Sequence, residues 1–331
     1  MTGPETAPQP SPEEPPPPPT VRRRKKHTTR RVAENPRRLK HAPTWLLVGL
    51  AWLVVRLPLP LLRSMGRGLG NLLYRLGRAR RHVTLVNIAR CFPELAEAEQ
   101  QALARQVFQQ VSIGMLELMI PWLNPGRDLS ARFTITGKEH LDAAVAQGRG
   151  VILVGAHYAV MDVISQPLST CGPIDVMYRF NKNPVWEWLQ VSGRARYFDG
   201  VVEREDTRQV LKRLKQGRVI WYAADQDYGP RHSVFAPFFG IYAATIVATA
   251  RFARLNDSPV LILRQWRDAD TMTWHLDFSP VIENFPSGDD QADATRLNAL
   301  LEERIRLAPD QYLWLHKRFK TRPDDEGDFY A

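Results

Sequence analysis

Cysteine is almost absent from this chain of 331 residues, which contains two, at positions 91 and 171. Their separation has neither the spacing of a metal site nor that of a disulfide framework, so a small domain stabilised by zinc or disulfides is excluded. Two isolated cysteines also fit a reducing, cytosol-facing environment. A Gly-x-Ser-x-Gly motif is missing, and neither cysteine lies in a recognisable catalytic context. The sequence therefore offers no protein nucleophile.

Acidic residues are nearly missing from one part of the chain. Residues 21–81 contain 17 Lys and Arg against the single acid Glu34, whereas residues 82–331 contain 28 against 31 acids. The formal net charge of +10 thus belongs to an N-terminal segment, and the remainder is close to neutral. A basic segment beside a neutral body argues against a nucleic acid partner.

A long uninterrupted apolar run is missing as well. The most apolar segment, residues 45–62, contains Arg56, Pro58 and Pro60, whereas a spanning helix needs about 20 apolar residues. Cations flank both ends, and Trp45 and Trp52 are typical of a membrane interface. We expect a membrane-associated helix that lies in or dips into the cytoplasmic leaflet. The alternative is a buried core helix preceded by a basic tail.

Three segments are predicted from these patterns. Residues 1–40 are Pro-rich and then polybasic, and we expect them to be disordered because they have little apolar surface to bury. Residues 41–81 form the hydrophobic anchor with basic flanks. Residues 82–331 alternate short apolar runs, such as 151–154, 174–178 and 218–223, with amphipathic segments. This alternation predicts an α/β domain with a mostly parallel central sheet flanked by helices.

His157 and Asp162 follow the apolar run at 151–154, and ligands of open α/β sheets bind at the carboxyl ends of strands. The two side chains can meet if the histidine lies in the turn and the aspartate in the first helical turn. An aspartate on one imidazole nitrogen would leave the other free to take a proton from a hydroxyl. Because the protein offers no nucleophile, that hydroxyl would belong to a substrate. The alternative is a half-buried loop histidine and a helix cap.

Several downstream strings are more specific. They are Asp225-Gln226-Asp227-Tyr228-Gly229, the Phe-Ala-Pro-Phe-Phe run at 235–239, Gln311-Tyr312-Leu313-Trp314, and residues 318–323. With them, residues 44–323 resemble the bacterial lipid A secondary (late) acyltransferases, within the lysophospholipid acyltransferase-like superfamily with its glycerolipid acyltransferase-like fold. With Gln at position 226 the chain resembles the lauroyl type, since the myristoyl type tends to have Glu there.

This resemblance implies a reaction and its residues. Members transfer a fatty acyl group from acyl carrier protein to the hydroxyl of a 3-hydroxyacyl chain on a Kdo-bearing lipid A precursor, at the cytoplasmic face of the bacterial inner membrane. No cofactor or metal is expected. The family's H-x4-(D/E) motif falls on His157 and Asp162, with Asp a mild departure from the more usual Glu. Its functional arginine falls on Arg194 and its additional aspartate on Asp225, which would orient an arginine or the acceptor.

Other residues have two interpretations each. Arg179 and Arg194 are candidates for binding acceptor phosphates or carboxylates. Phe235, Phe238 and Phe239 would line an acyl groove or contact lipid, or else pack on the core. A further set, Lys212, Arg213 and Lys215, would dock the acidic carrier protein or be simply solvated.

Two other functions stay open at this point. One is an acyltransferase of the same superfamily that acts on a glycerophospholipid or a glycolipid. The other is a non-catalytic, membrane-bound interaction protein whose basic tail binds anionic partners.

Overall fold

The structure is a computed structural model that describes residues 34–268, 271–323 and 327–331. Nine strands occur in this part of the chain: β1 (Phe133–Thr136), β2 (Val151–Gly155), β3 (Ile174–Tyr178), β4 (Val201–Glu203), β5 (Val219–Ala223), β6 (Ser233–Phe238), β7 (Ile241–Ile246), β8 (Val260–Arg267) and β9 (Trp274–Phe278). The predicted disordered tail falls largely on residues 1–33, outside the described residues.

Seven strands form the central sheet in the order β1-β9-β8-β2-β5-β3-β4. The five strands from β8 to β4 are parallel to one another, and β9 pairs antiparallel with β8 and parallel with β1. β2 is fully buried along its length, as expected of a strand covered by helices on both faces. The predicted α/β fold with a mostly parallel sheet is confirmed.

Eleven α-helices are found in the described residues: α1 (Ala42–Val54), α2 (Leu59–Leu76), α3 (Arg78–Cys91), α4 (Glu97–Glu117), α5 (Met119–Leu123), α6 (Lys138–Ala146), α7 (Ser165–Thr170), α8 (Pro184–Arg194), α9 (Thr207–Leu214), α10 (Ala248–Asn256) and α11 (Asp290–Arg306). Four short 3₁₀ turns accompany them, at Leu39–His41, Ser130–Arg132, Asp162–Ile164 and Pro309–Gln311. α3 spans the predicted domain boundary between residues 81 and 82.

The helices are distributed over the two faces of the sheet. The chain moves from β2 through β3 to β4 in one direction and then returns through β5 to β8. Because crossovers between parallel strands are right-handed, α7 and α8 cover one face and α9 and α10 the other. The connections that leave β2 and β5, which are neighbours, therefore diverge to opposite faces. Such a divergence opens a crevice at the carboxyl ends of the two strands.

The predicted membrane segment is divided into two helices. α1 ends at Val54, and Pro60 lies in the first turn of α2, where proline is tolerated because its missing N–H would have no partner there. α2 packs closely on α4, with Gly66 and Gly70 against the backbone of the partner helix. Within the described residues, none of the helices combines the length and the apolar character needed to cross a bilayer.

The aromatic segment at 233–240 belongs to a hairpin of β6 and β7, and α10 begins at Ala248. Phe239 and Gly240 form its two-residue turn, both with positive φ, at 52° and 74°. That geometry matches the twist of a tight hairpin. The alanines at 243 and 244 favour a helix locally, and the strand pairing overrides that preference.

Candidate active site

His157 and Asp225 emerge side by side from the carboxyl ends of neighbouring strands. β2 pairs with β5 so that Gly155 lies opposite Ala223. His157 and Asp225 each follow two residues after the end of their strand. Asp225 Oδ1 lies 2.6 Å from His157 Nδ1, and Asp225 Oδ2 accepts a hydrogen bond from the His157 backbone N–H at 3.0 Å. One carboxylate thus fixes both the ring and the backbone of the histidine.

The electrostatics of this pair define its protonation. Asp225 is buried, whereas the His157 side chain is 23% exposed. Burial pushes the pKa of Asp225 upward, but the charge of His157 and its two hydrogen bonds, aided by Tyr312, outweigh burial and hold this pKa at about 2. An ionised carboxylate only accepts hydrogen bonds, so Nδ1 of His157 carries the proton. In the neutral form of the ring, Nε2 is then the nitrogen without a proton and can act as a general base.

Asp162 does not pair with His157, contrary to the prediction from the sequence. It opens the 3₁₀ turn Asp162–Ile164 and forms a two-pronged ion pair with Arg194, with Nε to Oδ1 at 2.6 Å and Nη2 to Oδ2 at 2.9 Å. Both side chains are buried. The five-residue spacing therefore places His157 near the Asp162–Arg194 ion pair. The carboxylate that binds His157 comes instead from the loop that follows β5.

Arg194 is positioned by the helix that carries it. The side chain of Asn183 caps the N-terminus of α8 by accepting from the backbone N–H groups of Val185 and Trp186, and Pro184 occupies the first helical position. Arg194 is the last residue of α8. A cation at a helix C-terminus is favoured by the helix dipole, and Asp162 neutralises the charge that burial would otherwise penalise.

The backbone after His157 is held by the C-terminal segment. Leu313 N–H donates to the His157 carbonyl at 3.0 Å, and Ala159 N–H donates to the Gln311 carbonyl at 2.7 Å. From the opposite side α4 approaches so closely that a Cβ on Gly114 would overlap the Ala159 carbonyl oxygen. The string at 311–314 thus holds the backbone after His157 through its main chain, while the side chain of Tyr312 hydrogen-bonds to Asp225.

A cavity of about 1000 Å³ extends from His157 along the carboxyl edge of the sheet, and we call it the His157 cavity. Its apolar lining includes Met161, Met177, Leu211, Trp221, Phe252 and Leu255, and its cations are Arg179, Arg194, Arg204, Arg231 and Arg251. Binding sites of this volume accommodate a drug-sized molecule or part of a larger one. The combination suits a ligand with an apolar chain and anionic groups.

Two of the predicted substrate-binding residues lie on this cavity, and other arginines join them. Arg194 and the exposed Arg179 both line it. Arg204, which follows β4, was missed because a strand of three residues gives no readable periodicity; its guanidinium carbon lies 4.8 Å from the ring centroid of Tyr228. Arg231, which follows Gly229 and Pro230 in the loop after β5, was missed because a cation in a turn is usually solvated.

The predicted acyl-groove or lipid-contacting phenylalanines do not line the cavity. Phe238 and Phe239 are buried, in edge contact with each other at 4.9 Å between ring centroids. Phe239 also packs on Phe92 and Trp314. Phe235 is half-buried on β6 and is likewise not among the lining residues. The hairpin turn directs Phe238 and Phe239 into the core, so for these two the alternative interpretation, core packing, is correct.

Neither cysteine is suited to nucleophilic attack at this site. Burial raises the pKa of the Cys171 thiol to about 11 and that of the Cys91 thiol further still. Neither of them lines the His157 cavity, and no serine among the described residues lines it. Nor do the described residues contain a group of three His, Cys, Asp or Glu side chains placed to hold a metal ion.

Residues 31–321 match the family model for the bacterial lipid A biosynthesis acyltransferases. The chain belongs to this family. It is 37% identical to the lipid A biosynthesis lauroyltransferase of Escherichia coli K12 over 282 residues, which cover 85% of this chain and 92% of that protein. It is 33% identical to the palmitoleoyltransferase of the same strain, over 87% and 94% of the two chains, and 27% identical to its myristoyltransferase, over 88% and 90%.

Membership confirms the predicted family and reaction class, acyl transfer in lipid A biosynthesis. The three relatives are named for different acyl chains. The chemistry expected of such an enzyme agrees with a histidine base beside a cavity that is partly apolar and partly cationic.

Proposed function

We propose that this acyltransferase moves a lauroyl-like group from acyl carrier protein to the hydroxyl of a 3-hydroxyacyl chain on a Kdo-bearing lipid A precursor. The observation that carries the proposal is the Asp225–His157 pair, whose free Nε2 lies on a large cavity without a serine or cysteine in its described lining. A base with no protein nucleophile suits a substrate hydroxyl. The five lining arginines suit the phosphates and acidic sugars of the acceptor.

The reaction in this proposal is a direct transfer. His157 Nε2 takes the proton of the acceptor hydroxyl while the hydroxyl oxygen attacks the thioester carbonyl carbon. The tetrahedral intermediate collapses when the carbon–sulfur bond breaks, and the imidazolium returns its proton to the departing thiolate. Asp225, ionised and hydrogen-bonded to Nδ1, stabilises the imidazolium between these steps. The products are an ester and a free thiol, with no acyl-enzyme.

The oxyanion of that intermediate needs hydrogen-bond donors. Arg194 is one candidate, because its Nε and Nη2 are bound to Asp162 while its Nη1 forms no hydrogen bond within the described part of the chain. It also lines the His157 cavity. Backbone N–H groups close to the 3₁₀ turn after His157 are the other candidate. In this proposal, Asp162 is a positioning residue that acts through Arg194.

An assay with the purified full-length protein tests the function. We expect a lauroyl group to be transferred from its acyl carrier protein thioester to a tetra-acylated, Kdo-bearing lipid A precursor, detected as the corresponding mass increase of the acceptor. A series of thioesters from 10 to 16 carbons ranks the donors, because one methylene in a chain-measuring site changes binding by about 1 to 3 kcal/mol. Glycerophospholipid and glycolipid acceptors serve as the comparison.

A deletion strain gives the matching result in the cell. The tetra-acylated precursor should accumulate in it, and plasmid-borne enzyme should restore the mature lipid A. Lipid A of unchanged acylation in that strain, or preferential acylation of a glycerophospholipid in vitro, would contradict the proposal.

We further propose that α1 rests in the cytoplasmic leaflet of the inner membrane. Val48 is its one buried residue, packed with Trp122, Val185 and Leu189, whereas Leu46, Leu47, Leu50, Trp52 and Leu53 are exposed. A helix of 13 residues is about 20 Å long, at about 1.5 Å per residue, against a hydrocarbon core of about 30 Å. Exposed leucines with arginines nearby support an interfacial position.

Replacing two of these leucines tests the membrane position. We expect Leu46→Ser/Leu50→Ser to weaken binding to anionic vesicles at least tenfold, because each leucine contributes roughly 1.5 to 3 kcal/mol when it leaves water. Both side chains are exposed, so the fold should be retained. Leu255→Ser/Leu307→Ser is the control, because these leucines are similarly exposed, one on α10 and the other directly after α11. Vesicle flotation measures both, and equal losses for the two variants would contradict the assignment.

A further inference from the structure

The outer end of the His157 cavity lies between two basic helices. Thr207 and Leu211 of α9 line it on one side, and Arg251 and Leu255 of α10 line it on the other. α9 and α10 pack against each other, on the face of the sheet opposite to α7 and α8. Leu255 is 65% exposed, so an apolar side chain reaches solvent at this end of the cavity.

Three cations form a stripe along α9, namely Arg208, Lys212 and Lys215, and we call it the α9 stripe. Their spacing of four and three residues places them on one face of the helix, while Val210 and Leu214 are buried on the other. All three are exposed, and none of their side chains has a hydrogen bond or ion pair within the described residues. α9 contains no acidic residue. Like charges at this spacing are unfavourable for an isolated helix.

Arg213, which the sequence analysis grouped with Lys212 and Lys215, is not part of this stripe. Its guanidinium is half-buried and paired with Asp175 at 3.0 Å, which also binds Arg218. On α10, Arg251 and Arg254 lie 3.3 Å from Asp290, in exposed pairs. Such pairs contribute little and exchange readily for another anionic partner.

We propose that the α9 stripe, with Arg251 and Arg254, is the docking surface for an acidic carrier protein that delivers the acyl chain between Leu211 and Leu255 to His157. The inference rests on the proposed function and places the acyl donor at the outer end of the His157 cavity. Surplus positive charge faces solvent around the apolar rim of the cavity that holds the base. An acidic protein surface is the complementary partner, and charge of this kind governs the rate of encounter and the register of docking.

A lipid surface is the less suitable occupant of the α9 stripe. An interfacial helix inserts an apolar face into the bilayer, but the apolar residues of α9, Val210 and Leu214, are buried in the body of the protein. The exposed leucines of α1 belong to the opposite layer, where α1 packs on α5 and Trp45 contacts Trp188 of α8. The stripe therefore offers charge alone, which suits a folded acidic partner.

The test is a double charge reversal, Arg208→Glu/Lys212→Glu, in the full-length enzyme. Transfer is measured with the same acyl group on two donors, acyl carrier protein and pantetheine, the second lacking a protein. We expect the KM for the carrier thioester to rise at least tenfold with kcat unchanged. The dependence of this KM on salt concentration should weaken. Kinetics with the pantetheine thioester and vesicle flotation should match the wild type.

The matched control is Arg132→Glu/Lys138→Glu, which changes the charge equally beside the distant edge strand β1. These side chains are exposed and form a weak backbone contact and a surface ion pair, so their loss should affect stability little. The control should keep the wild-type KM for both donors.

Three other outcomes are decisive. A wild-type KM for the carrier thioester in the α9 variant would overturn the docking surface while leaving the proposed function standing. Equal losses with both donors, together with weaker flotation, would identify the stripe as a lipid-binding surface and would also overturn the proposal. A wild-type enzyme that is active with the pantetheine thioester but inactive with the carrier thioester would refute the carrier as donor, and the docking surface with it.

Discussion

Replacing His157 with alanine is expected to lower the rate of acyl transfer by about two to four orders of magnitude, the usual contribution of a general base. Without Nε2, the cavity loses the nitrogen that this proposal assigns to accept the proton of the hydroxyl. The imidazole is partly exposed and its ring has one hydrogen bond, to Asp225. We therefore expect the variant to fold and to bind vesicles, with a Tm below that of the wild type because the buried Asp225 carboxylate loses its partner.

Single-turnover transfer at saturating donor and acceptor measures the effect on the chemical step. Thermal unfolding and flotation are recorded on the same preparations. His140→Ala, a change of the same size at a half-buried histidine on α6, is the control and should keep the wild-type rate. Transfer by His157→Ala at close to the wild-type rate would refute the assignment of the base.

Replacing Asp225 with asparagine should reduce the rate by up to about four orders of magnitude, the effect of the same change on the orienting aspartate of Ser-His-Asp triads. The amide can donate to Nδ1 and so favour the tautomer whose proton sits on Nε2, where the base is needed. Because the pKa of Asp225 is held at about 2, its carboxylate remains charged at every pH at which the enzyme is assayed. The expected loss is therefore in kcat across the pH profile.

Asp162→Asn is the matched comparison, since it makes the same chemical change in the other buried carboxylate of the site. It leaves Arg194 buried with a weakened partner, and removing one member of a buried ion pair destabilises a protein by roughly 3 to 5 kcal/mol. We expect a clear drop in Tm with this variant. Asp225→Asn should instead cause a large loss of kcat with a smaller change in Tm.

Equal rates and equal Tm values for the two variants would contradict this division of roles. A rate loss confined to Asp162→Asn would restore Asp162 as the partner of the base. One pair of isosteric substitutions thus distinguishes the roles of Asp162 and Asp225.

The sequence placed His157 at the end of a strand but paired it with the wrong carboxylate. The apolar runs at 151–154 and 174–178 are strands, and His157 follows the first of them, so its position at the carboxyl edge of the sheet was predicted correctly. Asp225 is 68 residues away along the chain from His157. Local spacing reports only neighbours in sequence, whereas this contact depends on which strand lies beside β2.

The string at 225–229 shows how one motif divides into separate tasks. Asp225 binds His157, whereas Asp227 accepts from the backbone N–H of Gly229 at 2.7 Å and so shapes the turn before Pro230. Asp227 also accepts from the backbone and hydroxyl of Thr321, at 2.8 and 2.9 Å. This second contact ties the loop to the C-terminal segment and was not readable from the string. A pattern in sequence identifies the residues that matter but leaves their partners to the fold.

The neighbouring position of β2 and β5 has a consequence for how the enzyme tolerates change. The separation of His157 from Asp225 is set by the register that places Gly155 opposite Ala223, and a slip of one residue would turn Asp225 to the other face of the sheet. Central strands are also the last elements of a domain to open. Insertions in the loop after Gly229 leave that register intact, whereas a single insertion within β5 would separate the pair. Alignment of the base is therefore coupled to global unfolding, and local fluctuations at the periphery leave it undisturbed.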